Sequence, residues 1–180
     1  MQTNAVAPPK LTLPQRAVFL VLGTGCIAVA IGIFLFCRFG TDPSVTLYQG
    51  ISAALRLPFT GALLLVNLPI TIACLVFHRN LIGVGSVANM VLVGPLAQFL
   101  QNFLLRHWPL AGLAGRAALF AAGVVLLSVG LTMYIASNLG LPPVDTVSVM
   151  IAQHVKLQFR WVRIAQDVTA IVMGVGLGLL

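Results

Sequence analysis

The residues best placed to do chemistry are an aspartate and an arginine inside the last apolar stretch of the chain. Asp167 lies about one and a half turns into that stretch, and Arg163 lies four residues earlier on the same helix face. Ionisable groups are costly in a bilayer, so they must face protein or a water-filled cavity. The pair therefore either anchors the helix near the cytoplasmic interface or contacts a substrate or coupling ion.

The other two acids each lie beside a proline at the start of a short apolar stretch. Asp42 directly precedes Pro43, and Asp145 lies two residues after Pro143. An acid at such a position has a structural role, because it caps the helix or meets the positive end of its dipole. Transporters also place ion and substrate sites at helix starts. Both acids, together with Thr146, are therefore candidate substrate or coupling residues.

The sequence carries no pattern typical of an enzyme or a metal site. The three cysteines lack CxxC spacing, and the three histidines are scattered. No Ser/His/Asp or Cys/His arrangement has a convincing spacing, and no phosphate-binding loop is present. We therefore predict no catalytic residue, no metal, no cofactor and no enzymatic activity.

The composition indicates an integral membrane protein. Of the 180 residues, 59% are hydrophobic and only 7% are charged, whereas a soluble domain is about a quarter charged. This excludes an ordinary globular enzyme, a disordered regulator and a secreted disulfide scaffold. The net charge of +7 comes from basic residues between apolar runs, which is typical of topology signals and lipid contacts. We predict contact with a lipid bilayer and no nucleic-acid binding.

Seven apolar stretches predict the architecture. A membrane-spanning helix needs about 20 apolar residues. Five stretches approach this length, and two shorter ones begin at Pro. The long stretches are 17–36, 59–77, 82–105, 117–136 and 161–180, and the short ones are 43–57 and 143–155. The predicted fold class is all-α, a polytopic transmembrane helical bundle.

The chain matches itself when it is shifted by 100 residues. Between positions 16 and 59, ten residues recur at this offset without a gap. They include a shared Gly-x-x-Pro-x-x-Thr spacing, which is not merely apolar. The recurring residues are Arg16, Ala17, Gly23, Val29, Gly40, Pro43, Thr46, Ile51, Leu57 and Phe59. The same offset sets Asn67 opposite Asp167, so both halves carry a polar group at one depth. We predict an internal duplication.

The duplication divides the chain into four predicted parts. These are a flexible tail (1–16), a first transmembrane repeat (17–105), a central cytoplasmic loop (106–116) and a second transmembrane repeat (117–180). The first repeat has four apolar stretches and the second has three. Because the last stretch runs to Leu180 without a polar tail, we expect the second repeat to be truncated.

The basic residues help to decide whether the two short stretches cross the bilayer or return to the side they came from. If both cross and the N-terminus is cytoplasmic, eight of the ten Lys and Arg fall inside. If both are re-entrant, six fall inside and four outside. The positive-inside rule favours crossing. An even number of spans per half makes the repeats parallel. We therefore predict two parallel repeats, short Gly/Pro-started second helices, and a cytoplasmic N-terminus.

A motif in the second half resembles a known family. The run 134–145, Tyr-Ile-Ala-Ser-Asn-Leu-Gly-Leu-Pro-Pro-Val-Asp, is followed by Arg163 and Asp167. This resembles the YczE/YyaS/YitT family of bacterial multi-span membrane proteins, in which a Gly-x-Gly-Pro-x-Asp segment precedes an Arg and, four residues on, an acid. Leu141–Pro142 departs from that pattern, and Asp167 stands where Glu is usual. The first half is similar in 35–46 and 82–95. The resemblance implies a bacterial inner-membrane protein whose role is largely undefined.

We predict a small-solute or ion transporter, or a subunit of one. The alternative is a non-transporting membrane scaffold or regulatory partner of a protein complex, in which the polar groups serve folding and assembly. A homo-oligomer or a membrane-protein partner fits either hypothesis. The candidate substrate or coupling residues are Asp42, Asn67, Asp145, Thr146, Arg163 and Asp167.

Overall fold

The chain forms seven α-helices in the computed structural model, which describes residues 12–39, 42–77, 82–108, 112–155 and 157–178. The long helices are α1 (Leu13–Cys37), α3 (Phe59–Phe77), α4 (Val84–His107), α5 (Leu113–Ser137) and α7 (Phe159–Gly178). The short ones are α2 (Pro43–Leu55) and α6 (Pro143–Val155). These described ranges contain no strand, so the all-α prediction is confirmed. Most of the predicted tail lies outside the described residues.

Four helices are long and apolar enough to cross a membrane: α1, α3 as far as Val76, α4 and α5. Large apolar side chains on their outer faces are exposed, as expected for contact with lipid tails. Val76 and Phe99, for example, are 70% and 69% exposed. The prediction of a multi-pass membrane protein in a lipid bilayer is therefore confirmed.

Local sequence explains where the helices begin and end. Asp42 caps α2, because its Oδ1 accepts the backbone N–H groups of Ser44 and Val45 at 2.8 and 3.0 Å. Helices α1 and α5 end at Arg38 and Asn138, whose φ angles of 55° and 50° are left-handed. A left-handed residue stops the helix and turns the chain away from its axis.

Helices α1 and α5 pack closely and run in opposite directions. A Cβ on Gly23, early in α1, would lie 2.7 Å from the backbone nitrogen of Tyr134, late in α5. At the other end, the Cys37 thiol donates to the carbonyl of Arg116 at 3.4 Å. The prediction that the two halves run parallel is therefore wrong.

Helix α4 runs parallel to α1. A Cβ on Gly85, near the start of α4, would lie 3.1 Å from Leu20, early in α1. A Cβ on Gly32, late in α1, would lie 2.9 Å from the carbonyl of Ala97, late in α4. The start of α1 and the end of α4 therefore lie at opposite ends of the bundle. The start of α1 and the end of α4 therefore cannot both face the cytoplasm, so the predictions of a cytoplasmic N-terminus and of a cytoplasmic central loop are not compatible with each other.

Helix α3 runs antiparallel to α4, and hence to α1. The Thr60 hydroxyl, at the start of α3, donates to Gln98 at 2.7 Å, whereas Thr71 contacts Met90 at 3.7 Å. Because α1 and α3 run in opposite directions, the chain between them leaves and rejoins the bundle at the same end. Helix α2 is therefore re-entrant, and the crossing arrangement predicted from the charge count is wrong.

Helices α5, α6 and α7 also place a short helix between two longer helices that run in opposite directions. Helix α7 packs along α2 in the same direction, because a Cβ on Gly174 would lie 2.6 Å from the carbonyl oxygen of Thr46, and one on Gly178 would lie 3.8 Å from Gly50. Helix α2 in turn forms an antiparallel hairpin with α3. Helix α7 therefore runs opposite to α5, and α6 between them also returns to the end from which it came.

Candidate functional site

An ion-paired cluster lies where α6 and α7 meet. Arg163, on α7, donates through Nη1 to Asp145 in the first turn of α6. Its Nε lies 3.2 Å from the carboxylate of Asp167, one helical turn further on. Asp42, at the start of α2, lines the same cavity as Arg163 and Asp145. Two of the chain's three acids therefore pair with one guanidinium, and the third lines the cavity that this guanidinium faces.

A cavity of about 210 Å³ lies beside this cluster, in the interior of the bundle. Its polar wall includes Asp42, Asn67, Asn89, Asp145 and Arg163, and its apolar wall comes mainly from α1, α3, α4 and α5. The starts of both re-entrant helices reach this cavity from opposite ends of the bundle. Each helix start carries a partial positive charge, so the arrangement can hold a charged or strongly polar group.

Asn67 is held at the cavity by a buried hydrogen-bond network. Its side chain is 5% exposed. Its Nδ2 donates to the hydroxyl of Tyr48 and to the carbonyl of Leu63, both at 3.0 Å. Tyr48 and Asn89 were not among the predicted site residues. Each is a polar side chain within an otherwise apolar stretch, and this could have identified both as candidate site residues.

Gln166 fixes the orientation of α7 against α6. Its Nε2 donates to the carbonyl of Val144 at 3.0 Å, and its Oε1 accepts the hydroxyl of Ser148. Both contacts lie within about one turn of Asp145, and they hold Arg163 in reach of that carboxylate. The guanidinium is thus positioned by hydrogen bonds on the adjacent helix as well as by charge.

The structure brings together five of the six predicted residues. Asp42, Asn67, Asp145 and Arg163 line the cavity, and Asp167 is paired to Arg163. Thr146 is fully buried, and its hydroxyl donates to the carbonyl of Pro142 at 3.0 Å. It stabilises the first turn of α6 and does not line the cavity. Within the described ranges, no three His, Cys, Asp or Glu residues are grouped so that they could hold a metal ion.

Comparison with known proteins identifies the family. Residues 14–180 match the Family of unknown function (DUF6198). The chain belongs to this family. It is 31% identical to the uncharacterized membrane protein YczE of Bacillus subtilis over 102 residues, which are 57% of this chain and 46% of that protein. The resemblance to YczE-like membrane proteins is thus confirmed.

A second relative of this DUF6198 chain is an uncharacterized protein of Haemophilus influenzae, 21% identical over 159 residues. The match covers 88% of this chain and 71% of that protein. The chain spans about half the length of the Bacillus relative. No solved structure matches the chain. The relatives therefore support a membrane protein and assign no activity to the cavity.

Proposed function

We propose that this DUF6198 protein moves a small solute or ion across the membrane, alone or as a subunit of a transporter. The observation that carries the proposal is the convergence of two re-entrant helix starts on one interior cavity, with Asp42, Asp145 and Arg163 in its wall. Many transporters build a substrate site from short helices that begin inside the bundle, with their N-terminal ends at a polar cavity. An ion-paired cluster inside a bundle is otherwise a costly feature.

We further propose that the two halves are an inverted repeat with an offset of 100 residues. Helices α1, α2 and α3 begin at 13, 43 and 59, and α5, α6 and α7 begin at 113, 143 and 159. Contacts recur with the same offset: Gly23 packs against Tyr134, and Gly123 packs against Phe34. Inverted repeats place the substrate site at their interface near the middle of the bilayer, which is where the two helix starts meet.

The charge of the cluster supports a positively charged solute or ion. Asp145 and Asp167 pair with the one guanidinium, and Asp42 lines the same cavity, so the formal charge is −2 when all three acids are ionised. Each helix start offsets about half a charge, which leaves a net negative cavity. A monovalent cation, or a small solute with an ammonium group, would neutralise it and would satisfy the carboxylates in a medium of low dielectric constant.

The cavity offers binding groups, and the proposed role is not enzymatic. With both short helices re-entrant, and with the locally engaged Arg116 and Arg163 left out, five basic residues are assigned to the N-terminal side and three to the other. This bias supports a cytoplasmic N-terminus in a bacterial inner membrane.

Thermal unfolding of the detergent-purified protein tests the proposed function. Monovalent cations, small amines and amino acids are screened for a rise in the melting midpoint. A ligand at 100 times its dissociation constant adds about 2.7 kcal/mol. We expect one chemical class to stabilise the protein, Asp145→Asn to abolish that response, and Arg160→Gln to retain it. Absence of any response from well-folded protein would instead support the scaffold, whose polar groups serve assembly alone.

A further inference from the structure

A second cavity, of about 480 Å³, lies at the end of the bundle where α1 and α4 finish. Its wall includes five long or polar side chains from three elements of the first half. They are Arg38, Gln49, Ser52, Gln98 and Gln101. We call this cavity the vestibule. Its amide and hydroxyl groups can exchange hydrogen bonds with water or with a polar solute.

We call the first cavity, which lies beside Asp145 and Arg163, the central cavity. The vestibule lies next to it along the helix axes. On α1, Ile31 lines the central cavity and Leu35 lines the vestibule. On α3, Leu63 lines the central cavity and Phe59 lines the vestibule. On α4, Val93 lines the central cavity and Gln98 lines the vestibule. Four or five residues separate each pair, which is a distance of about 6–8 Å along a helix. The two cavities are therefore stacked, with about one helical turn between them.

A thin apolar partition separates the two cavities. Leu35, Tyr48 and Phe59 belong to one hydrophobic cluster and are only 3%, 5% and 6% exposed. The rings of Tyr48 and Phe59 meet edge to face, with centroids 6.2 Å apart. The Tyr48 hydroxyl bonds Asn67 on the side of the central cavity. Tyr48 lines the central cavity, and Leu35 and Phe59 line the vestibule, so these three buried side chains lie at the boundary between the two polar spaces.

We propose that the vestibule is the entrance through which a solute reaches the central cavity, and that the partition of Leu35, Tyr48 and Phe59 is its gate, closed in this structure. The inference rests on the proposed function, because it gives the central cavity a solute. It adds the direction of access: from the end of the bundle where α1 finishes. A gate of apolar side chains excludes water when packed and opens through rotation of a few side chains.

Cysteine accessibility tests the entrance in the full chain. Cys26, Cys37 and Cys74 are first replaced by Ala, and a charged, membrane-impermeant methanethiosulfonate is applied to either side of sealed vesicles. We expect Gln101→Cys to react from the side where α1 ends. Leu63→Cys, at the central cavity, should react at least about tenfold more slowly because the packed partition excludes the reagent.

Removing the gate should expose the central cavity. Phe59→Ala should raise the reaction rate of Leu63→Cys at least about tenfold, because it deletes a side chain that fills the partition. Phe99→Ala, which removes an exposed ring from the outer face of α4, is the matched control and should leave the rate unchanged. Leu35→Ala opens the same partition from α1 and replaces Phe59→Ala if that variant does not fold.

Two results would contradict the proposal that the vestibule is an entrance. One is a Gln101→Cys that is protected from both sides. The other is a Leu63→Cys rate that does not change in folded Phe59→Ala or Leu35→Ala protein. The probe is a thiol reagent, so its result does not depend on solute binding. An open vestibule without any solute-dependent stabilisation would refute the proposed function alone.

Discussion

Arg163 donates to Asp145, and this bond joins the first turn of the re-entrant helix α6 to the helix that follows it. The same guanidinium contacts Asp167 at 3.2 Å. One side chain therefore balances two carboxylates, each about a third exposed. The start of α6 stays beside the cavity because this pair holds it there.

Removing the guanidinium should destabilise the fold more than removing a neighbouring one. Arg163→Gln leaves two carboxylates without their partner and should lower the free energy of unfolding by about 1–3 kcal/mol, less than for a fully buried pair. Arg160→Gln, at an exposed position beside Trp161, should change it by about 0.5 kcal/mol or less. Melting midpoints in detergent compare the two. Equal shifts would show that the pair does not hold α6.

The close approach of α2 and α7 should depend on one glycine and not on its neighbour. A Cβ on Gly174 would lie 2.6 Å from the Thr46 carbonyl, whereas one on Gly176 would meet nothing within 4 Å. Gly174→Ala should therefore cost about 1–3 kcal/mol through overpacking. Gly176→Ala should be neutral or slightly stabilising, because alanine favours the helix. A harmless Gly174→Ala would contradict the packing of these helices.

The left-handed end of α2 predicts a stabilising substitution. Arg56 adopts φ 52° after the last turn of that helix, a conformation that glycine adopts without strain. Arg56→Gly should raise the free energy of unfolding by about 0.5–1 kcal/mol. Arg106→Gly, inside the last turn of α4, should lower it by up to about 1 kcal/mol. Shifts of the same sign in both variants would argue against the left-handed cap.

Helix number and position were predictable from the sequence because they depend on local patterns. Apolar stretches bounded by Gly, Pro and basic residues located all seven helices. The proline after Asp42 correctly predicted a capped helix start. Helix starts at 13 and 113, 43 and 143, and 59 and 159 are separated by the same 100 residues as the matching sequence positions, and the internal duplication stays a prediction.

Helix direction was not predictable from the charges, which favour the crossing arrangement by six basic residues to two even when the two that are engaged locally are left out. Arg116 donates to the carbonyl of Cys37 at the junction of α1 and α5, and Arg163 is paired with two acids. Neither reports on which side of the membrane a loop lies. The shared cavity of Asp42 and Asp145 could not be anticipated, because it depends on two short helices whose starts reach it from opposite ends of the bundle. The hydrogen bond from Asn67 to Tyr48 was missed for the same reason: it is a tertiary contact.

The most direct test of the proposed site is to measure which side of the membrane each end of α2 faces. The central cavity exists only if α2 returns to the end from which it came. In a cysteine-free chain, Arg38→Cys and Arg56→Cys flank α2, and Thr12→Cys marks the start of α1. Each is labelled with an impermeant thiol reagent from either side of sealed vesicles. We predict that Arg38→Cys and Arg56→Cys react from one side and Thr12→Cys from the other. Labelling of Arg38→Cys and Arg56→Cys from opposite sides would mean that α2 crosses the membrane. That result would contradict the shared cavity.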